Sequence, residues 1–145
     1  MALFIFTKAI LAGKAIQVFN NGDMNRDFTF VDDIVAGIIK VLDNSPVSSG
    51  MDSIDPSESK SAPFKVYNIG NSSPVKLMDF IEAIESKLGI KAKKELLPMQ
   101  PGDVPMTWAD TSDLEKDLGY RPNTPIKEGV SKFIEWYKEH YKITN

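Results

Sequence analysis

The chain has 145 residues, 42% of them hydrophobic and 26% charged, a size and balance suited to one globular domain with a proper core. Seventeen basic side chains against 20 acidic ones leave a net charge of −3, which gives no basic footprint for nucleic acid or an anionic membrane. There is no cysteine and one histidine, His140, which excludes disulfides, thiolate metal sites, cysteine nucleophiles and multi-histidine centres.

No apolar run approaches the roughly 20 residues a membrane span needs. The opening stretch 1–8 lacks the basic region of a secretory signal, so a cytoplasmic setting is expected. Residues 2–12 repeat apolar side chains at helical spacing (Leu3, Phe6, Ile10, Leu11) and stop at Gly13. Residues 15–19 suit a short strand. Asn20-Asn21-Gly22-Asp23 is a turn signal, because Asn and Gly tolerate positive φ. A second strand is expected over 28–31. Asp32 is placed as the cap of a helix running to about residue 44, with Val31, Ile34, Val35, Ile38 and Leu42 on one face.

Residues 45–63 hold seven serines and three prolines and are expected to form a mobile loop. A strand over 64–69 ends at Gly70. Leu77, Phe80, Ile81, Ile84 and Leu88 mark an amphipathic helix closed by Gly89. Residues 91–97 suit a strand, and 98–105, with three prolines and a glycine, a stiff loop. Thr111 or Ser112 opens a short helix ending at Gly119. Thr124 is placed as the cap of the last helix, with Pro125 at its first position and a buried stripe of Ile126, Val130, Phe133, Ile134, Tyr137 and Tyr141. The order α-β-β-α-β-α-β-α-α, without internal repeat, is a mixed α/β architecture over a single domain, 1–145.

Only two arginines occur, Arg26 and Arg121. A guanidinium is a planar fork of donors suited to phosphate oxygens, but Arg26 equally suits a surface ion pair with Asp23 or Asp27. The stiff loop offers Gln100, both donor and acceptor, and Asp103, an acceptor for sugar hydroxyls, on a backbone that costs little entropy to hold. The same loop reads as well as a plain connector. Asp32 and Asp33 are general acid/base types that here favour the start of a helix. His140 falls on the outer face of the last helix, and Trp108 and Trp136 are expected in the core. No glycine-rich dinucleotide turn, P-loop or serine–histidine arrangement occurs, so no catalytic residue is assigned.

Taken together, several segments resemble the extended short-chain dehydrogenase/reductase family. They are Phe6-Thr7-Lys8-Ala9-Ile10-Leu11-Ala12-Gly13-Lys14 with Ile16 to Phe19, Arg26-Asp27-Phe28-Thr29-Phe30-Val31-Asp32-Asp33-Ile34, Tyr67-Asn68-Ile69-Gly70-Asn71, and Gly119-Tyr120-Arg121-Pro122. The loop 99–105 with Thr107 and Ala109-Asp110 is most similar to the UDP-glucuronate 4-epimerase branch. The resemblance covers the chain apart from the serine-rich segment. It implies the carboxyl-terminal, substrate-binding lobe of an NAD-dependent nucleotide-sugar epimerase, without the NAD-binding Rossmann half.

That missing half would carry the glycine-rich turn and a Tyr-x-x-x-Lys catalytic pair, neither of which occurs here. NAD would perform the oxidation and re-reduction at C4 of the sugar, the protein supplying orientation. By resemblance, Gln17, Val18 and Phe19 would line uracil and ribose, partly through backbone groups, and Arg26 would meet the diphosphate. Asn68, Gln100 and Asp103 would complete the nucleotide contacts. Many members have arginine where this chain has Gln100, which leaves more of the phosphate to Arg26. The implied partners are a UDP-sugar and the NAD-binding half, with the intact enzyme a homodimer and the lobe alone inactive. Segments 28–43 and 64–70 would pack against the missing half, leaving apolar surface exposed here. A related dehydratase or reductase, and a free-standing sugar-nucleotide-binding module, are the alternatives.

Overall fold

The structure is a computed structural model describing residues 2–46 and 64–143. Most of the serine-rich segment expected to be mobile, 47–63, lies outside the described residues. The expected order of elements holds, but two of the four strands sit elsewhere.

Helix α1 (Ala2–Leu11) stops where Gly13 takes φ 66°, a left-handed conformation that costs glycine nothing because it has no Cβ. Strand β1 (Ala15–Val18) then sends Ile16 and Val18 inward and Ala15 and Gln17 outward, the two-residue alternation of a half-buried strand. The Asn-Asn-Gly signal becomes a 3-10 turn, Phe19–Gly22, with Asn20 and Asn21 at φ 49° and 50°. Strand β1 pairs in parallel with β4 (Lys93–Leu96), Ala15 opposite Lys93 and Val18 opposite Leu96.

The strand expected over 28–31 is absent. The ladder in this region is shorter and earlier: β2 (Asn25–Arg26) runs antiparallel to β3 (Val75–Lys76). Residues 28–30 are β-forming types, but their rings pack on helices instead of pairing with a strand. Phe28 stacks on Phe80 with centroids 4.2 Å apart, and Phe30 lies against Gly129 with Lys132 Nζ 5.1 Å from its centroid. The strand expected over 64–69 is likewise missing. Lys65 forms an isolated bridge and 66–70 are irregular, so this apolar run has no ladder beside it among the described residues.

Helix α2 (Val31–Asp43) begins one residue before Asp32, which therefore does not cap it. The cap position is Phe30, with no side-chain cap bond, and Asp32 and Asp33 lie in the first turn. Asp33 Oδ2 instead accepts the N–H of Thr124 at 3.0 Å, and its carbonyl accepts the Tyr120 hydroxyl at 2.8 Å. Burial, and then the Asp33 charge, push that phenol's pKa up, which keeps it a donor. Thr124, one residue before the cap position, does not cap the last helix either. Helix α5 (Ile126–His140) starts a residue later than expected, with Pro125 at its cap position.

Helices α3 (Leu77–Leu88) and α4 (Ser112–Leu118) close as expected on Gly89 and Gly119, both left-handed. The core lies where α3 packs between α1 and α5 beside β1. Phe80, Ile81, Ile84, Val130 and Ile134 are essentially inaccessible there, each such side chain worth roughly 1.5–3 kcal/mol when fully buried. Both tryptophans lie outside this core. Trp108 is 67% and Trp136 48% exposed, the latter stacked on the exposed His140 with ring centroids 5.1 Å apart. Tyr141, expected in the buried stripe, is also half exposed, at the cap position that ends α5.

Glu85 of α3 is a buried carboxylate. It accepts the N–H of Ala92 at 3.0 Å, Lys91 Nζ at 2.9 Å and Lys94 Nζ, fastening the end of α3 to β4. Burial alone would push its carboxyl up, but the hydrogen bonds from Lys94, Lys91 and Ala92 outweigh it and hold the group at about 2. Because the folded pKa is depressed, the stabilisation is present above the ordinary value of 4.5 and lost as pH falls toward about 2. The thermal unfolding midpoint of the parent is expected to fall across that window. Glu85→Gln should start lower at pH 7 and decline less; a parallel decline in both would assign the acid sensitivity to other groups.

Helix α2 meets the rest of the molecule through Gly37, where an added Cβ would come within 3.2 Å of Ile69 and Tyr120. Its wide apolar stripe points away: Val31 is 62% and Leu42 71% exposed, with Val35, Ile38 and Ile39 also open, as are Phe64 and Val66. A continuous exposed apolar face binds hydrophobic dyes and drives association. The chain is expected to do both at micromolar concentration. Val35→Ser with Ile38→Ser should reduce dye fluorescence while the helical circular dichroism stays; unchanged fluorescence would locate the exposed apolar surface elsewhere.

Candidate functional site

The turn after β1 and the proline-rich loop after β4 are laced together by backbone hydrogen bonds. The N–H of Leu97 donates to the carbonyl of Val18 at 2.9 Å and that of Asn21 to Leu97 at 3.0 Å. Further on, the N–H of Asn25 donates to Pro105 at 2.9 Å and that of Thr107 to Asn25 at 3.2 Å. Within the loop, Gly102 takes φ 83° and the Asp103 N–H closes a turn onto the Gln100 carbonyl at 3.1 Å. The lacing brings Asp103 to Arg26, with Nη2 2.9 Å from Oδ1 and both side chains partly accessible. Arg26 therefore has an ion-pair partner, but neither Asp23 nor Asp27.

These two side chains stand in a cleft of about 320 Å³ whose wall also includes Gln17, Phe19, Asp27 and Phe28. Four of the seven residues singled out from sequence thus share one cavity: Gln17, Phe19, Arg26 and Asp103. The other three do not line it. Val18 is fully buried because β1 turns it into the core, and its carbonyl is taken by Leu97. Gln100 is exposed in the turn whose carbonyl holds Asp103, and Asn68 is exposed with its amide donating to the Asp110 carbonyl at 3.1 Å. The cleft combines a guanidinium, carboxylates, an amide and an aromatic ring on a largely apolar wall. That set suits an anionic, hydroxylated ligand with a flat apolar end. Among the described residues no group of three or more His, Asp or Glu could hold a metal ion, and no helix is long and apolar enough to cross a membrane.

Asp27 does more than its sequence context indicates. Its Oδ2 accepts the N–H of Ser72 and of Ala109, both at 3.1 Å, and its own N–H donates to Thr107 Oγ1 at 3.3 Å. Ser72, at φ 52°, adds hydroxyl bonds to the Ala109 carbonyl at 2.9 Å and to buried Thr111 at 2.7 Å. One carboxylate beside Arg26 thereby fixes two loops distant in sequence. Neither periodicity nor spacing marks Asp27 for this role, since both loops arrive through tertiary folding.

Residues 3–133 match the family profile described as GDP-mannose 4,6 dehydratase. The chain belongs to that family. Within the GDP-mannose 4,6 dehydratase family, similar proteins include Protein CapI of Staphylococcus aureus, 54% identical over 98% of this chain and 43% of that protein. UDP-glucuronate 4-epimerase 4 of Arabidopsis thaliana is 43% identical over 97% of this chain and 32% of its own length. Among solved structures, the UDP-glucuronic acid 4-epimerase of Bacillus cereus in complex with UDP-glucuronic acid and NAD is similar at TM-score 0.78. It is 29% identical, over 97% of this chain and 40% of that one. The chain spans about two fifths of the length of the first of these relatives and of that structure. The mixed α/β fold matches the carboxyl-terminal part of these epimerases, and their Rossmann half has no counterpart in it.

Replacing Asp27 by alanine leaves the Ser72 and Ala109 N–H groups without their acceptor, each such loss costing about 1–3 kcal/mol. Gly70→Ala attacks the same junction sterically, because a Cβ there would lie 2.3 Å from that of Ala109. Urea unfolding is expected to show both variants destabilised by at least about 1 kcal/mol, with their effects less than additive when combined. Full additivity would mean that the two loops are held independently.

Proposed function

We propose that this chain is the sugar-nucleotide-binding part of an NAD-dependent nucleotide-sugar 4-epimerase acting on UDP-glucuronate. The observation that carries the proposal is the convergence of Arg26 and Asp103 in one cleft with Gln17 and Phe19. In it, Arg26 binds the diphosphate, Asp103 accepts from a ribose hydroxyl, and Phe19 and Gln17 meet the flat face and polar edge of the base. Each contact fixes the sugar's position relative to the reacting groups, which is how a binding lobe contributes to rate. The UDP-glucuronate 4-epimerase relatives and the family match support the substrate class.

The described residues do not fit an NAD cradle of their own. Of the parallel strands, β1 runs into the 3-10 turn and β4 into the proline-rich loop. Neither feeds directly into a helix whose amino terminus could hold a pyrophosphate. NAD, which supplies hydride transfer when bound, belongs in this proposal to a dinucleotide-binding half outside the chain. The 145 residues alone then turn over no nucleotide sugar. A 4,6-dehydratase, the activity that names the family profile, would use the same cleft and differ in the other half.

The test is titration of the chain with UDP and with uridine, followed by nuclear magnetic resonance shifts. UDP should bind and uridine much less, since Arg26 addresses the phosphates. Arg26→Ala removes a charge-assisted hydrogen bond worth about 1.5–3 kcal/mol, so UDP affinity should drop about ten- to a hundredfold. Lysine should restore only part, keeping the charge without the fork. A folded Arg26→Ala chain that binds UDP as tightly as the parent would return Arg26 to a plain ion pair.

A further inference from the structure

Asp103 uses its two carboxylate oxygens unequally. Oδ1 accepts from Arg26 Nη2 at 2.9 Å and from the N–H of Val104 at 3.1 Å, while Oδ2 makes no hydrogen bond within the described residues. The guanidinium is anchored on its other side as well. Nη1 donates to the Asn25 carbonyl at 3.0 Å, and Nη2 also rests 3.9 Å from Met24 Sδ. A guanidinium has five N–H donors, so this arrangement holds Arg26 at both ends of the fork and still leaves donors for a ligand. A long side chain that must be immobilised on binding weakens an interaction, and one already fixed does not. The holding group is itself preset, because Asp103 sits in a proline-rich turn laced to the strand that carries Arg26.

We infer that Asp103 is a positioning residue for Arg26: its Oδ1 fixes the guanidinium in the cleft before a ligand arrives. A negatively charged group thereby improves the binding of an anion. The inference rests on the cleft being a nucleoside-diphosphate site. It is separate from any contact between Asp103 and a ribose hydroxyl, which would use Oδ2 and would not depend on Arg26.

A UDP analogue lacking both ribose hydroxyls, 2′,3′-dideoxy-UDP, isolates the positioning role, because Asp103 has no hydroxyl to meet on it. Direct electrostatics gives the opposite sign: deleting a carboxylate beside an anion site strengthens binding. Affinities for the analogue would be measured by nuclear magnetic resonance titration for the parent, Asp103→Ala, Arg26→Ala and the double variant, each checked for folding by circular dichroism. Asp103→Ala should bind roughly two- to tenfold more weakly, the range for immobilising one long side chain. In the Arg26→Ala background the same change should cost nothing. Should alanine disturb the loop, Asp103→Asn keeps an acceptor for Val104 and carries the test with a smaller loss. Unchanged or tighter binding by the folded single variant, or an equal loss in both backgrounds, would overturn the positioning role alone. A parent that binds neither UDP nor the analogue would overturn the nucleotide site, and the positioning role with it.

Discussion

The backbone lacing between residues 18–25 and 97–107 is the constraint on which the cleft depends. Four N–H to carbonyl bonds of 2.9–3.2 Å join a turn near the start of the chain to a loop far along it. The parallel pair β1–β4 sets the register, the prolines leave the loop little freedom to depart from it, and Gly102 supplies the left-handed turn at φ 83°. Arg26 and Asp103, 77 positions apart, meet because of this lacing. A partly exposed ion pair contributes little stability by itself. Its place here follows from the backbone around it.

A second layer of support comes from polar groups that hold loops where no ladder can. Asp27 gathers the N–H groups of Ser72 and Ala109 beside the cleft, and Ser72 bridges on to buried Thr111. Asp33 does similar work at the start of α2, its carboxylate accepting the N–H of Thr124. Glu85 does so at the end of α3 with two lysines and the N–H of Ala92. In each case a carboxylate satisfies backbone or ammonium donors that would otherwise be costly to leave unpaired. Asp27, Asp33 and Glu85 thus act in this fold as joints.

The apolar surface divides into two unlike parts. One is the close-packed centre among α1, α3, α5 and β1. The other is the outward face of α2 with Phe64 and Val66, apolar in composition but open. The relatives are more than twice this chain's length.

The sequence by itself determined most of the local structure. Among the described residues, helical spacing located α1, α2, α3 and α5, start and stop residues located α4, glycines placed the stops of α1, α3 and α4, and Asn20-Asn21-Gly22 placed the turn, because each depends on neighbours within a few residues. It also supplied the chemical inventory: no thiol, one histidine, scarce arginine and a stiff Gly-Asp loop. Local pattern misplaced what depends on distant partners. Residues 28–31 and 64–69 hold β-forming types but join no strand ladder among the described residues, and the stripe on α2 does not reveal whether anything covers it. Pairing Arg26 with Asp103 rather than with Asp23 or Asp27, turning Val18 inward and recruiting Asp27 to two loops were decided by tertiary structure alone. A hydrogen bond between residues tens of positions apart leaves no periodic trace, since it exists only once β1 and β4 have fixed the register that brings those residues together.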